Sequence, residues 1–566
     1  MFLAGNGLPG RWEGRDAFVV LETGFGLGLN FLATWDAWRR DAARPRRLHF
    51  VSVESRPFRG EDLATALRPF EELAPLADEL TRAWPEPLAG FHRLPFSSGR
   101  VILTLLLGDA HEMLPQLEAR ADAFYLDGFA PARNPGLWSP AVVREVARLA
   151  APGATLATWT VAGGVRAALA DAGFRVEKRP GFAAKREMLV GAREGGGAKP
   201  PVQRHAVVVG AGLAGTLTAE RLAARDWRVD LLDARPARSA AAVGLVRPIA
   251  NVRDAVNARL SRSAFLYALQ HYGGLEREGY ALQWNPCGVL QVAADDEEAR
   301  RFEAIATSQG YPAGFLAYVD AARAREIAAR EIRRGGWWFP RGALVSPDSL
   351  AMASLARAGA RVERAMDRQV ERIEREGRSW RALDADGRVI AEAPILVLAN
   401  AADAQRLLPQ ARLSLSAVRG QVTYLPAGLR SRLEVVVSGS GYVAPLPDGG
   451  LCIGATYGHD DPDATVRIAD HRQNLERAEA MLPGFSQGLD AAAFTGWTGY
   501  RATVPDRLPI FGATAIEGVH TATGLGSRGL LWGPLGAELL ACQLEGEPLP
   551  LPSGLAGAIS PRRFLS

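Results

Sequence analysis

The chain has 566 residues, 48% of them apolar and 23% charged, with 66 basic against 62 acidic side chains and a net charge of +4. One core does not serve a chain of this length, since domains commonly run roughly 100 to 200 residues, so two or three are expected. The usage is that of ordinary globular proteins, no apolar run approaches the roughly 20 residues of a membrane helix, and so small a charge excess does not by itself indicate a nucleic-acid partner.

Three cysteines, Cys287, Cys452 and Cys542, lie far apart, and the eight histidines show no HxxxH spacing. Neither a disulfide framework nor a metal site is therefore expected. The opening FLAGNGLPGRW lacks both a signal-peptide core and transit-peptide character, so a cytoplasmic protein is expected. Lysine occurs only at Lys178, Lys185 and Lys199; nearly every cation is arginine, whose planar fork suits phosphate contacts.

In chain order, the apolar run Ala17 to Leu21 predicts a strand that leads through Glu22-Thr-Gly24-Phe-Gly26-Leu-Gly28 into a helix containing Trp35 and Trp38. Further strands are predicted at Leu48 to Val53, ending at Glu54; at Val101 to Leu107, ending at Gly108-Asp109; and at Ala123 to Leu126, ending at Asp127. Strands at Thr155 to Trp159 and Glu187 to Val190 close this unit, and the alternation with helical stretches predicts a parallel sheet covered on both faces. Residues 192–204 lose all periodicity and read as a linker. At His205 to Val209 a second βαβ unit begins, with a glycine loop, an alanine-rich helix and a strand Arg228 to Leu232 that ends at Asp233. The expected division is 1–191, a linker 192–204, and 205–566.

The alternate glycines Gly24, Gly26 and Gly28 allow a sharp turn and close approach of backbone to a ligand. Glu22, Glu54 and Asp109 stand at the carboxyl ends of three strands, where a crevice binds ligands and a carboxylate can accept ribose hydroxyls. A nucleoside is the reading these acids favour over a plain turn. The spacing lacks the third glycine of GxGxxG, which suits S-adenosyl-L-methionine, a ligand without a pyrophosphate. Asp127 opens the polar, proline-held loop DGFAPARNP and is the residue assigned to chemistry, orienting an amine and accepting its proton as a methyl group transfers.

The second loop, Gly210-Ala-Gly212-Leu-Ala-Gly215, follows a strand and opens a helix, with Asp233 roughly twenty residues further on, the context a dinucleotide fingerprint requires. Asp233 would hold the ribose. Near the C-terminus, Gly524-Leu-Gly526-Ser-Arg528 precedes an apolar helical run, so its backbone N–H groups would face a flavin ring, which favours FAD, with Arg528 placed beside it.

FLAGNGLP, ETGFGLGLNFL, YLDGFAPARNP and GFAAKREML resemble the methyltransferase half of the bacterial bifunctional tRNA 5-methylaminomethyl-2-thiouridine biosynthesis proteins. VVVGAGLAG, VRGQV, DGGLCIGATY, YRATVPDRLPIFG and GLGSRGL resemble the FAD half of that family, which is similar to glycine oxidase and D-amino-acid oxidase. The resemblance implies a Rossmann-like class I methyltransferase joined to an FAD-binding Rossmann domain with a mixed α+β substrate domain. It also implies a tRNA wobble uridine as substrate. The FAD domain would remove the carboxymethyl group from 5-carboxymethylaminomethyluridine, and the first domain would methylate the exposed amine. By the same resemblance Arg501 pairs with the substrate carboxylate. Family members usually carry a segment ahead of FLAGNGLP, so either the start lies further upstream than Met1 or the methyltransferase entrance is trimmed here. Two other readings stay open at this point: a fused oxidase and methyltransferase acting on a small free amine, and an RNA-binding protein whose first site has decayed.

Overall fold

The computed structural model describes residues 1–181, 186–195, 203–235, 241–430 and 433–565. Contacts divide the chain into two units, Met1–Val202 with Cys542–Ala556, and Gln203–Ala541 with Gly557–Ser566. Most of the stretch read as a linker, and residues 182–185 of GFAAKREML, lie outside the described residues.

The first unit is built on eight strands: β1 (Ala17–Glu22), β2 (Arg47–Glu54), β3 (Gly90–Phe96), β4 (Val101–Leu107), β5 (Ala121–Tyr125), β6 (Ala150–Thr158), β7 (Phe174–Pro180) and β8 (Glu187–Arg193). They lie in the order β3-β4-β2-β1-β5-β6-β8-β7. The central five are parallel, as the alternation predicts, whereas β3, β7 and β8 run antiparallel to their neighbours. The parallel sheet that the alternation predicts forms the centre, and antiparallel strands extend it at both edges. Ser97-Ser98-Gly99, with positive φ, turn the chain tightly from β3 into β4, and Gly181 N donates to the Arg186 carbonyl between the ends of β7 and β8.

Each face of this sheet carries its own core. On one side Phe31, Trp35, Phe50 and Phe96 form a buried aromatic cluster with ring centroids 4.8 to 5.7 Å apart. Phe31 and Trp35 come from successive turns of the helix Leu29–Arg40, so their i,i+4 spacing presses the helix, and the glycine loop before it, onto the strands. Burying each such ring stabilises the unit by roughly 1.5 to 3 kcal/mol.

Residues 542–556, which the sequence reading gives to the oxidoreductase, group with the first unit because β2, β3 and the segment before β5 hold them. Buried Arg93 on β3 donates to the Pro548 carbonyl at 3.0 Å, Leu549 N donates to the Glu118 carbonyl at 3.0 Å, and Glu547 lies 3.6 Å from Arg93 and 3.7 Å from Arg47. Contacts of this kind between residues some 450 positions apart leave no local pattern in the sequence.

In the second unit, β9 (His205–Val209) and β10 (Arg228–Asp233) join the strands Val362–Met366, Ile395–Leu398, Val519–Thr523 and Ile510–Ala513 in a six-stranded sheet. All its pairings are parallel except that of the last two strands. A separate nine-stranded, largely antiparallel sheet contains Ser416–Leu425, Tyr442–Pro445, Leu451–Gly454 and Thr495–Thr503. This is the mixed substrate layer that the resemblance implies.

Candidate active sites

In the first unit the glycine loop runs from the carboxyl end of β1 into the helix Leu29–Arg40. Phe25 N donates to the Val53 carbonyl at 3.2 Å, and Gly26 N donates to Glu54 Oε2 at 2.9 Å, which ties the loop to the end of β2. The other oxygen of Glu54 accepts from Arg56 N at 2.7 Å. Gly26 adopts φ of +54°, and a β-carbon there would meet no atom within 4 Å. The loop therefore borders open space where a ligand can approach, as an adenosylmethionine site requires.

Glu22 is fully buried beneath this loop, with Oε2 accepting from Ser52 Oγ at 2.7 Å and Oε1 from Asn30 Nδ2 at 2.8 Å. Burial raises its carboxyl well above the ordinary range. Asn30 Nδ2 also donates to Asp127 Oδ2 at 2.9 Å, so one amide bridges the end of β1 to the end of β5. Asp127 is half-buried, its second oxygen accepts from Gly128 N at 2.8 Å, and burial raises its carboxyl above the usual value while these bonds offset part of the shift. Asp109 is exposed and caps the short helix that follows it by accepting from His111 N at 2.8 Å. Sequence reasoning names all three strand-end acids and Asp127, but passes over Asn30 and Ser52, the side chains that connect them.

The second unit repeats the device. Ala211 N, within the glycine loop, donates to Asp233 Oδ2 at 2.7 Å, and Arg235 N donates to the other oxygen at 2.8 Å. A β-carbon on Gly215 would stand 1.8 Å from the Gly210 carbonyl oxygen, so only glycine lets the helix Leu213–Ala223 start this close to the strand. At Gly212 a β-carbon would meet nothing within 4 Å, which leaves the helix N-terminus open to a pyrophosphate.

Gly524 and Gly526, with φ of +67° and +56°, turn the chain into the helix Gly529–Glu545, and Gly526 N donates to the Ala502 carbonyl at 2.8 Å. That bond sets this loop beside the strand carrying Arg501. The Arg501 guanidinium lies 4.7 Å from the Tyr457 ring centroid and donates to the Thr456 carbonyl at 3.4 Å. Its place opposite Val418 in the strand register puts it over Gly420, where a β-carbon would be 1.8 Å from Nη1. Arg528 is desolvated, which together with nearby Arg507 lowers its pKa. Arg247, at the end of the strand Gly244–Val246, is pushed down to about 9 by burial and by the charge of Arg528. Among the described residues none of these three arginines has a carboxylate within ion-pair distance. Half-buried guanidinium groups without such a partner favour an anionic ligand. Tyr457 ends the string DGGLCIGATY, but Arg247 and Gly420 are not singled out by sequence reasoning; the string GLVRP carries no signal beyond one more arginine in an arginine-rich chain.

Residues 205–543 match the family described as FAD dependent oxidoreductase, and residues 71–194 match S-adenosyl-L-methionine-dependent methyltransferases. Fold and sites thus define a methyltransferase fused to an FAD-dependent oxidoreductase, with S-adenosyl-L-methionine and FAD as cofactors. The tRNA 5-methylaminomethyl-2-thiouridine biosynthesis bifunctional protein of Aromatoleum aromaticum is 48% identical over 100% of this chain and 92% of its own length. That of Ralstonia nicotianae is 46% identical over 100% and 92%. The chain belongs to the family of tRNA 5-methylaminomethyl-2-thiouridine biosynthesis bifunctional proteins. Among solved structures, glycine oxidase from Geobacillus kaustophilus superposes with a TM-score of 0.53 at 24% identity, covering 61% of this chain and 96% of that one. Iminodiacetate oxidase from Chelativorans sp. BNC1 gives 0.53 at 25% identity, with 61% and 97% covered. Among the described residues no helix is long and apolar enough to cross a membrane.

Proposed function

We propose that the two units act in sequence on a tRNA wobble uridine in the cytoplasm. The second unit removes the carboxymethyl group from 5-carboxymethylaminomethyl-(2-thio)uridine, and the first methylates the amine so exposed. The observation that carries this reading is Arg501, a guanidinium with no carboxylate partner among the described residues, held above Gly420 and against Tyr457. A carboxymethyl group on a secondary amine supplies the missing anion, and the arginine fork can take it bidentately.

FAD, when bound along Gly210, Gly212, Gly215 and Asp233 with its ring near Gly524, Gly526 and Arg528, supplies the two-electron acceptor. Arg501 would fix the carboxylate and so orient the adjacent methylene for oxidation. Loss of two electrons and two protons across that carbon and the nitrogen leaves an imine, and water then releases glyoxylate and a primary amine. The oxidation has to come first, because methyl transfer requires this amine.

S-adenosyl-L-methionine, held at Gly24, Gly26, Gly28, Glu54 and Asp109, supplies the methyl group. Asp127 accepts a hydrogen bond from the incoming amine and takes the proton released as the N–C bond forms. Asn30 holds Asp127 from behind and is itself aligned by Glu22, so Glu22 serves the cofactor site as a positioning residue beneath the loop.

Anaerobic addition of tRNA bearing the carboxymethylaminomethyl group should bleach the yellow holoprotein. Bleaching by free glycine or sarcosine, with that tRNA inert, would instead establish a small-amine oxidase. The intact linkage Glu22–Asn30–Asp127 argues for a working first site rather than a decayed one.

A further inference from the structure

The loop after Asp127 holds a feature that methyl-transfer chemistry does not use. Phe129, two positions on, is 70% exposed, the most exposed large apolar side chain among the described residues. Hydration of a free phenyl ring is unfavourable, and the backbone that presents this one is tied down. Its backbone carbonyl accepts from the buried Trp138 indole at 2.8 Å, the preceding Gly128 carbonyl accepts from the Trp159 indole at 3.2 Å, and the Ala130 carbonyl accepts from Arg133 N and Asn134 N at 2.7 and 3.0 Å. A β-carbon on Gly128 would stand 2.3 Å from Leu137 Cδ2, so the turn is packed from below as well. Four residues past Phe129, Arg133 is exposed and has no carboxylate partner among the described residues. An exposed aromatic ring on a tied-down loop that also carries an exposed cation without a carboxylate partner among the described residues, two positions after the proton acceptor, has the chemistry that single-stranded nucleic acid recognises: a base stacks on the ring while a phosphate meets the cation.

We propose that Phe129 is the platform on which the wobble uracil stacks during methyl transfer, with Arg133 taking a neighbouring phosphate. The proposal rests on the reading that the first unit methylates a wobble aminomethyluridine. Phe129 positions the base and Asp127 handles the proton. The loss of Phe129 should therefore weaken tRNA capture more than turnover.

The test uses the full-length holoprotein, S-adenosyl-L-methionine and tRNA carrying 5-aminomethyluridine at the wobble position. Phe129→Leu should raise KM for that tRNA by about tenfold or more, while kcat and the affinity for S-adenosyl-L-methionine stay within about threefold. Phe129→Trp should restore KM, since any planar ring serves, and Arg133→Gln should flatten the dependence of log KM on log salt concentration. A Phe129→Leu protein with the wild-type KM, or a Phe129→Trp protein no better than it, would overturn the stacking role. A wild-type chain inert on this tRNA would instead overturn the underlying methyl-transfer reading.

Discussion

Glu54 Oε2 accepts a hydrogen bond of 2.9 Å from the backbone N–H of Gly26, so the acid at the end of β2 closes the glycine loop at the end of β1. Asp233 does the same for Ala211 at 2.7 Å in the second unit. In each case one carboxylate shapes the loop, and in the proposed sites its remaining lone pairs would accept from a ribose. Removing it should therefore damage one cofactor site only. A charge-assisted bond of this kind contributes roughly 1.5 to 3 kcal/mol, about ten- to hundredfold in affinity. Glu54→Ala should lose that much affinity for S-adenosyl-L-methionine by calorimetry and keep its flavin. Asp233→Ala should purify with little FAD and bind S-adenosyl-L-methionine normally.

Methyl transfer should be sensitive to acid. Burial disfavours the Asp127 anion, which raises its pKa, so on lowering pH this carboxyl protonates before an exposed aspartate would. A proton acceptor that is already protonated is inert. The pH profile of methyl transfer to aminomethyl-tRNA should therefore show an acid limb above the ordinary aspartate value of 3.8. Asp127→Asn should be low throughout this range, with flavin reduction by the carboxymethylaminomethyl substrate unaffected.

Glu22 predicts an opposite effect on stability. Its pKa is raised in the fold, so above about 4.5 the folded state binds more protons than the unfolded chain. Stability from this group is fully present below that value and falls as pH rises towards the folded pKa. Glu22→Gln keeps an acceptor for Asn30 and can donate to Ser52, without a buried charge. Between about pH 5 and about pH 8, the melting temperature of the first unit should decline more in the wild type than in Glu22→Gln. Parallel declines would show that Glu22 does not titrate there.

Gly420→Ala isolates the role of Arg501 without removing it. The added carbon would lie 1.8 Å from Arg501 Nη1, the mobile end of a long side chain, so the guanidinium should move while the strand pairing survives. KM for the carboxymethylaminomethyl substrate should rise by about tenfold or more, the scale of one lost charge-assisted pair, with FAD content within about 10% of wild type. Lost FAD would place Arg501 at the cofactor instead.

The sequence carries the parts of these sites that depend on short spacing. Both glycine loops, Glu54, Asp109, Asp127 and Asp233 are legible because each sits at a strand end that local periodicity predicts. The side chains that connect them are not. Asn30 is an unremarked polar residue in a helix until β1 and β5 lie side by side and bring Asp127, 97 positions away, within 2.9 Å. Gly420 acquires meaning only through its pairing with the strand 495–503, and residues 542–556 only through Arg93. The edge strands β3 and β7 are missed because their exposed and prolyl positions, such as Pro95 and Glu177, break the apolar runs by which buried strands are recognised.

The central claim is two chemistries on one nucleoside, in fixed order, by two separate sites. Mass analysis of the wobble nucleoside in cells that lack the native protein and carry either Asp127→Ala or Arg501→Ala tests it most directly. Asp127→Ala should accumulate 5-aminomethyl-(2-thio)uridine and Arg501→Ala the 5-carboxymethylaminomethyl form. The same nucleoside in both strains would contradict the account.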